Sequence, residues 1–243
     1  MEQLDSPGTG QVGLRDCIDQ LLKFVLESHI DEALELDLGL SRDYCCNLLR
    51  DDSRDQGEGV HPSPSYKRLA LLLHELIITC TNGAAWRGML ADMGSELVDV
   101  FKAINFELHV QEPFFTQLKD GLKTIEGRCA TGYYKRIAAG ALVLFNKCLV
   151  LEVEDVRSYN SFSEMLVAEG LQNVLPGVKT TEEGVRVYRN FYTEEKERSN
   201  GVVAICVRRP ASQPYNILAS IISKLSYSGI ESILSNTSHA TIA

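Results

Sequence analysis

Gly121-Leu122-Lys123-Thr124-Ile125-Glu126-Gly127-Arg128 carries three charged side chains beside only two apolar ones, Leu122 and Ile125. That is too much charge for an ordinary core strand. Two cations and a carboxylate on a short stiff segment can bind an anion, move a proton, or simply pair with each other. If the strand is regular, Thr124 points with Glu126 and Arg128, and Lys123 points to the other face. Lys123 follows Gly121 and Leu122, where a loop enters the strand, so alternation does not fix its direction.

The surrounding sequence supplies the frame for this segment. Residues 107–110, 123–128, 141–145, 149–156 and 202–207 are short β-branched or alternating runs, and helical patterns lie between them at 114–120, 161–169 and 181–192. Short strands at this density with a few helices predict a small mixed or barrel-like α+β domain over 105–210, not a doubly wound sheet.

Upstream, residues 11–104 read as an all-helical unit. Leu14, Cys17, Ile18, Leu21, Leu22, Val25 and Leu26 form one stripe, and Ser41 is placed to cap a second helix carrying Tyr44, Cys45, Leu48 and Leu49. Two further helices are expected over 66–80 and 84–104, the latter with Trp86 and Met89 at core spacing. Residues 51–65 have no periodicity, two prolines and two glycines, and read as a mobile loop. The segment 211–243 has apolar residues at helical spacing, interrupted at Ser228 and Gly229, and is expected to dock on the protein with a frayed end.

Composition narrows the function classes. The net charge of −9 argues against a purely electrostatic nucleic-acid binder, but the charge is uneven. Residues 1–106 hold 9 basic against 18 acidic side chains, and residues 107–210 hold 14 of each. The 7 cysteines are scattered and odd in number, which reads as reduced thiols in a reducing compartment. The start of the chain has no signal-peptide pattern, and no apolar run approaches the roughly 20 residues that span a bilayer. The expectation is a soluble intracellular protein, in cytoplasm or nucleus, with no membrane partner. The histidines and cysteines show no metal-ligand spacing, and neither a P-loop nor a dinucleotide fingerprint is present. No metal or cofactor is expected.

Five stretches occur in order after residue 107: GLKTIEGR (121–128), a run from Ile137 to Phe145 ending in VLF, RSYNSFSEMLVAEGLQNVLPG (157–177), EEGVRVYRNFY (182–192) and GVVAICV (201–207). Together they resemble the activating signal cointegrator homology (ASCH) domain over residues 107–208. The resemblance implies a PUA-like (pseudouridine-synthase-and-archaeosine-transglycosylase-like) barrel, a cleft bordered by the G-x-K-T segment, and RNA as the ligand. Some small family members deacetylate acetylated cytidine and others have been credited with cutting RNA, so fold alone does not choose between binding and catalysis.

The residues discriminate further. In the deacetylating type the catalytic group is a lysine in G-x-K-T, a threonine three residues later, and a glutamate in the helix before V-L-P-G. This chain matches with Lys123 and Glu169 but has Glu126 at the threonine position, which offers no hydroxyl nucleophile. If the protein is an enzyme, Lys123, Glu126 and Glu169 are the catalytic candidates, in a metal-independent hydrolase. The leading expectation is a reader of single-stranded or modified RNA. Lys123 and Arg128 would contact phosphate, Glu126 a base edge, and Thr124 the same cleft, while Tyr133, Tyr134, Lys135 and Arg136 supply stacking and charge. A third reading is a scaffold whose helical unit binds a protein partner.

Overall fold

The computed structural model describes residues 12–50, 64–82 and 88–236. Most of the expected mobile loop, Trp86 and the last residues of the tail lie outside the described residues. The chain divides into two compact units, Ile104–Ala211 and a helical unit made of Val12–Ala103 together with the segment from Ser212 onward.

In the helical unit, α1 (Leu14–Ile30) buries the stripe read from the sequence, and α2 (Arg42–Leu49) begins at Ser41, whose hydroxyl accepts the Tyr44 N–H. Then come α3 (Ser65–Asn82) and α4 (Met89–Ala103). The last helix of the chain, Pro214–Asn236, packs on α1, α3 and α4, so the C-terminal segment is part of this unit. The Tyr44 hydroxyl donates to Glu231 at 2.6 Å, and Phe24 meets Tyr215 edge-on. Its break falls at Ser226 (φ 60°), not at Ser228 and Gly229 as the sequence suggested. That helix is also long and apolar enough, by length and composition, to cross a membrane. A packed core helix passes the same test, and serines, Lys224 and Glu231 interrupt its apolar residues, so no continuous apolar run of that length is present in it.

The other unit begins with β1 (Phe106–Leu108), α5 (Phe114–Lys119) and β2 (Ile125–Cys129), followed by a 3₁₀ turn over Gly132–Arg136. Next come β3 (Leu142–Phe145), β4 (Leu149–Tyr159), α6 (Phe162–Glu169), α7 (Leu171–Val174), α8 (Thr181–Arg189), α9 (Glu194–Asn200) and β5 (Val202–Arg208). The terminal helix Pro214–Asn236 is α10. The strands form one sheet in the order β1-β3-β4-β5-β2, with β1 parallel to β3 and the other pairs antiparallel. This curled half-barrel with flanking helices is the expected α+β, PUA-like arrangement.

The helices cover the sheet face that carries Ile125, Cys129, Val202 and Ala204, against Phe162, Met165 and Tyr188. A side chain at Gly127 would destroy that contact, because a Cβ there would sit 2.4 Å from the Tyr188 hydroxyl and 2.7 Å from Met165 Cε. α6 starts with a reciprocal cap: Ser161 Oγ accepts the Glu164 N–H, and Glu164 accepts the Asn160 N–H. Its first amide, Phe162 N–H, donates to the buried Glu197 of α9, which also pairs with Arg189 of α8. Glu197 thereby joins three helices by satisfying an otherwise orphaned donor.

Candidate functional site

Lys123 lies just before β2, in the turn rather than in the strand, and this frees it from alternation. Its ammonium donates to Ile125 O at 2.7 Å and to Val174 O, and stands 3.1 Å from Glu126 Oε2. Three N–H groups meet three acceptors, so the group is saturated. Glu126 Oε1 lies 2.8 Å from Arg128 Nε, and Arg128 Nη2 donates to His109 O at 2.6 Å. The three charges of the opening motif are therefore one cluster, with side-chain exposures of only 1, 8 and 16 % for Lys123, Glu126 and Arg128.

Burial sets the electrostatics. It pulls the Lys123 ammonium below its usual value, with Arg128 adding to the effect and Glu126 opposing it. Burial by itself would raise the Glu126 carboxyl, but Lys123 and Arg128 outweigh it and hold the carboxyl below its ordinary range. Arg128 is held above its ordinary value, because the Glu126 carboxylate overrides the burial penalty.

Arg128 also closes the half-barrel. β1 and β2 are the two edges of the sheet, and the Arg128 bond to His109 O, one residue past β1, ties one edge to the other. Tyr133 repeats the tie: its hydroxyl donates to Glu107 O at 3.3 Å and its ring stacks on Phe106. Tyr134 lies against Tyr133 and under the Arg128 guanidinium at 5.7 Å. Lys135 and Arg136 remain exposed on the 3₁₀ turn.

Glu169, the last residue of α6, belongs to a second group. Its carboxylate accepts from the Tyr159 hydroxyl at 2.5 Å and pairs with Arg157 Nε at 2.8 Å. That bond to Glu169 pushes the Tyr159 phenol up to about 12. Arg157 Nη2 also reaches Cys206 Sγ at 2.6 Å. Burial raises the Cys206 thiol, although Arg157 works against it. Sequence reading gave Arg157 and Cys206 no role, because the β-bulge between Val153 and Asp155 that puts them on one face leaves no mark in the residue pattern.

The two groups border one cleft of about 420 Å³. Its wall includes Gly121, Lys123 and Thr124 on one side and Arg157, Cys206, Arg208 and Arg209 on the other. Arg208 leans on Glu152 at 2.5 Å and Arg209 on Lys119 O at 3.0 Å, so both guanidiniums are positioned without being buried. Arg208 and Arg209 close the GVVAICV stretch, and their adjacency at a strand end was the missed signal.

The family model of the ASCH domain matches residues 108–211. A crystal structure titled hypothetical protein PH0355 is 45% identical over 43% of this chain and 98% of its own, with a TM-score of 0.42. A solution structure of protein PF0455 from Pyrococcus furiosus is 46% identical over 44% of this chain and 98% of its own, with a TM-score of 0.40. The chain belongs to the ASCH domain family. No curated protein matches it. Within the ASCH domain, Gly121, Lys123 and Thr124 of the G-x-K-T segment line the cleft of about 420 Å³, and Glu126 stands three residues after Lys123. Among the described residues no group of histidine, cysteine and acidic side chains could hold a metal ion.

Proposed function

We propose that the ASCH domain binds RNA, as a single-stranded or modified segment, in the cleft between Gly121–Thr124 and Arg157, Arg208 and Arg209. The observation that carries this reading is the set of three guanidiniums from β4 and the end of β5 converging on a cleft of about 420 Å³. Guanidiniums bind phosphate through paired N–H donors, and the cleft volume suits one nucleotide. In this reading the phosphate contacts pass from Lys123 and Arg128 to these three arginines. Lys123, Glu126 and Arg128 brace the wall from within, Thr124 faces the ligand, and Tyr133, Tyr134, Lys135 and Arg136 lie along the strand's further path.

The test is titration of labelled single-stranded RNA at two salt concentrations, for the wild type and for Arg157→Ala/Arg208→Ala/Arg209→Ala. Each lost phosphate contact is expected to lower the log–log salt slope by about 0.7. Unchanged affinity and slope in the folded triple variant would overturn the cleft assignment. RNA and acetylated cytidine recovered intact support a reader, whereas Lys123-dependent conversion of either would make the protein a hydrolase.

A further inference from the structure

β4 is paired on both sides only in its first half. β3 accompanies it as far as Leu142 opposite Glu152, and the last bonds on that side join Val153 to Gly140 and Ala141. From Asp155 to Tyr159, β4 pairs with β5 alone, and no described strand lies along its other edge. The bulge between Val153 and Asp155 sets which amides face out. Val156 N–H bonds the Asp155 carboxylate at 2.8 Å, on the side away from β5. Alternation then turns the Ser158 N–H and C=O outward as well.

This open edge borders a second cleft, of about 510 Å³, whose opposite wall is Tyr134, Lys135 and Ile137–Ala139. It therefore holds one backbone donor and one acceptor at Ser158, an aromatic ring, and an exposed ammonium. We infer that this cleft is a base-binding subsite: an unpaired RNA base stacks on Tyr134, is read on its hydrogen-bonding edge by the Ser158 backbone, and has its phosphate attracted by Lys135. The inference rests on the RNA reading above and adds where a base, rather than a phosphate, is held.

Three features favour a base over an added peptide strand. Strand addition needs a run of backbone groups, but Asp155 already occupies the Val156 N–H, which leaves a very short open edge. Tyr134 is pre-positioned by Arg128 at 5.7 Å and Tyr133 at 4.5 Å, so stacking costs little ordering. Arg157 and Ser158 are neighbours whose side chains leave opposite faces of β4, so a polynucleotide crossing the open edge can put a phosphate on Arg157 and a base against Ser158.

The experiment compares binding of oligouridine and oligocytidine with an abasic ribose-phosphate oligomer of equal length, at one salt concentration. Wild type is expected to prefer the base-bearing oligomers. Tyr134→Ala should weaken them about tenfold, as loss of one stack does, while leaving the abasic oligomer unchanged. Ser158→Pro removes the outward N–H at a position an edge strand tolerates, and should weaken base-bearing oligomers several-fold. Independently of any variant's folding, cytidine or uridine monophosphate should shift the Ser158 amide resonance of the wild type. Equal preference in both folded variants with an unmoved Ser158 amide would overturn the subsite while leaving the arginine cleft standing. Failure of every oligomer to bind wild type would overturn both. A Ser158 shift produced by an extended peptide and not by nucleotides would replace the base with a strand.

Discussion

Lys123–Glu126–Arg128 and Arg157–Glu169 are both cation–carboxylate groups within one domain, yet they do opposite work. The first is sequence-local and sealed, with its cations spent on carbonyls and on closing the sheet. The second is assembled from β4, β5 and α6, and its Arg157 side chain is 47 % exposed while Glu169 beneath it is 5 % exposed. Dense charge in a short motif thus built the interior, and the exposed guanidinium came from residues far apart in sequence. A saturated buried cation has no donor left for a ligand, whereas an exposed guanidinium anchored on one side has donors to spare.

The sharpest way to break this contrast is to unbalance the sealed group. Glu126→Ala leaves two buried cations facing one another and is expected to cost about 3–5 kcal/mol in urea unfolding, whereas Lys123→Met/Glu126→Gln, which keeps the group's net charge and leaves an amide oxygen to accept from Arg128, costs less. If the two variants cost the same, the three charges are not the coupled group described. Next is Gly127→Ala, whose methyl overlaps Tyr188 and Met165 and is expected to cost about 1–3 kcal/mol by the same measurement.

Acid offers a gentler probe. The folded Glu126 carboxyl is depressed relative to the unfolded chain, so its contribution to stability is fully present above the unfolded value, near pH 4.5, and is lost as pH falls through the folded value. Glu126→Gln should remove that part of the acid dependence in urea midpoints measured from pH 6 down to pH 2. The smallest effect on stability belongs to the exposed group: Arg157→Ala is expected to cost no more than about 1 kcal/mol, while RNA affinity falls. A large stability loss without an affinity loss would make Arg157 a structural partner of Glu169 and erase the distinction.

Much of the ASCH domain was readable because its strands are short alternating runs, and in the helical unit Ser41 announced α2 by capping. α7, α9 and the 3₁₀ turn were not, since a four-residue helix, a fully polar seven-residue helix and an aromatic-basic turn carry no periodicity to detect. At the site, the closeness of Lys123, Glu126 and Arg128 was legible, but their burial was not. Nothing in GLKTIEGR says that Val174 and His109 will bring carbonyls to meet its cations. Arg157 was illegible for a different reason, because one extra residue in β4 decides its face.

α10 completes a unit whose other helices precede the whole ASCH domain. A ribosome must therefore deliver β1 through β5 before the apolar faces of α1, α3 and α4 can meet their last partner. The helical unit is begun before the ASCH domain and finished after it, and its early helices wait through more than a hundred residues of synthesis with a face uncovered.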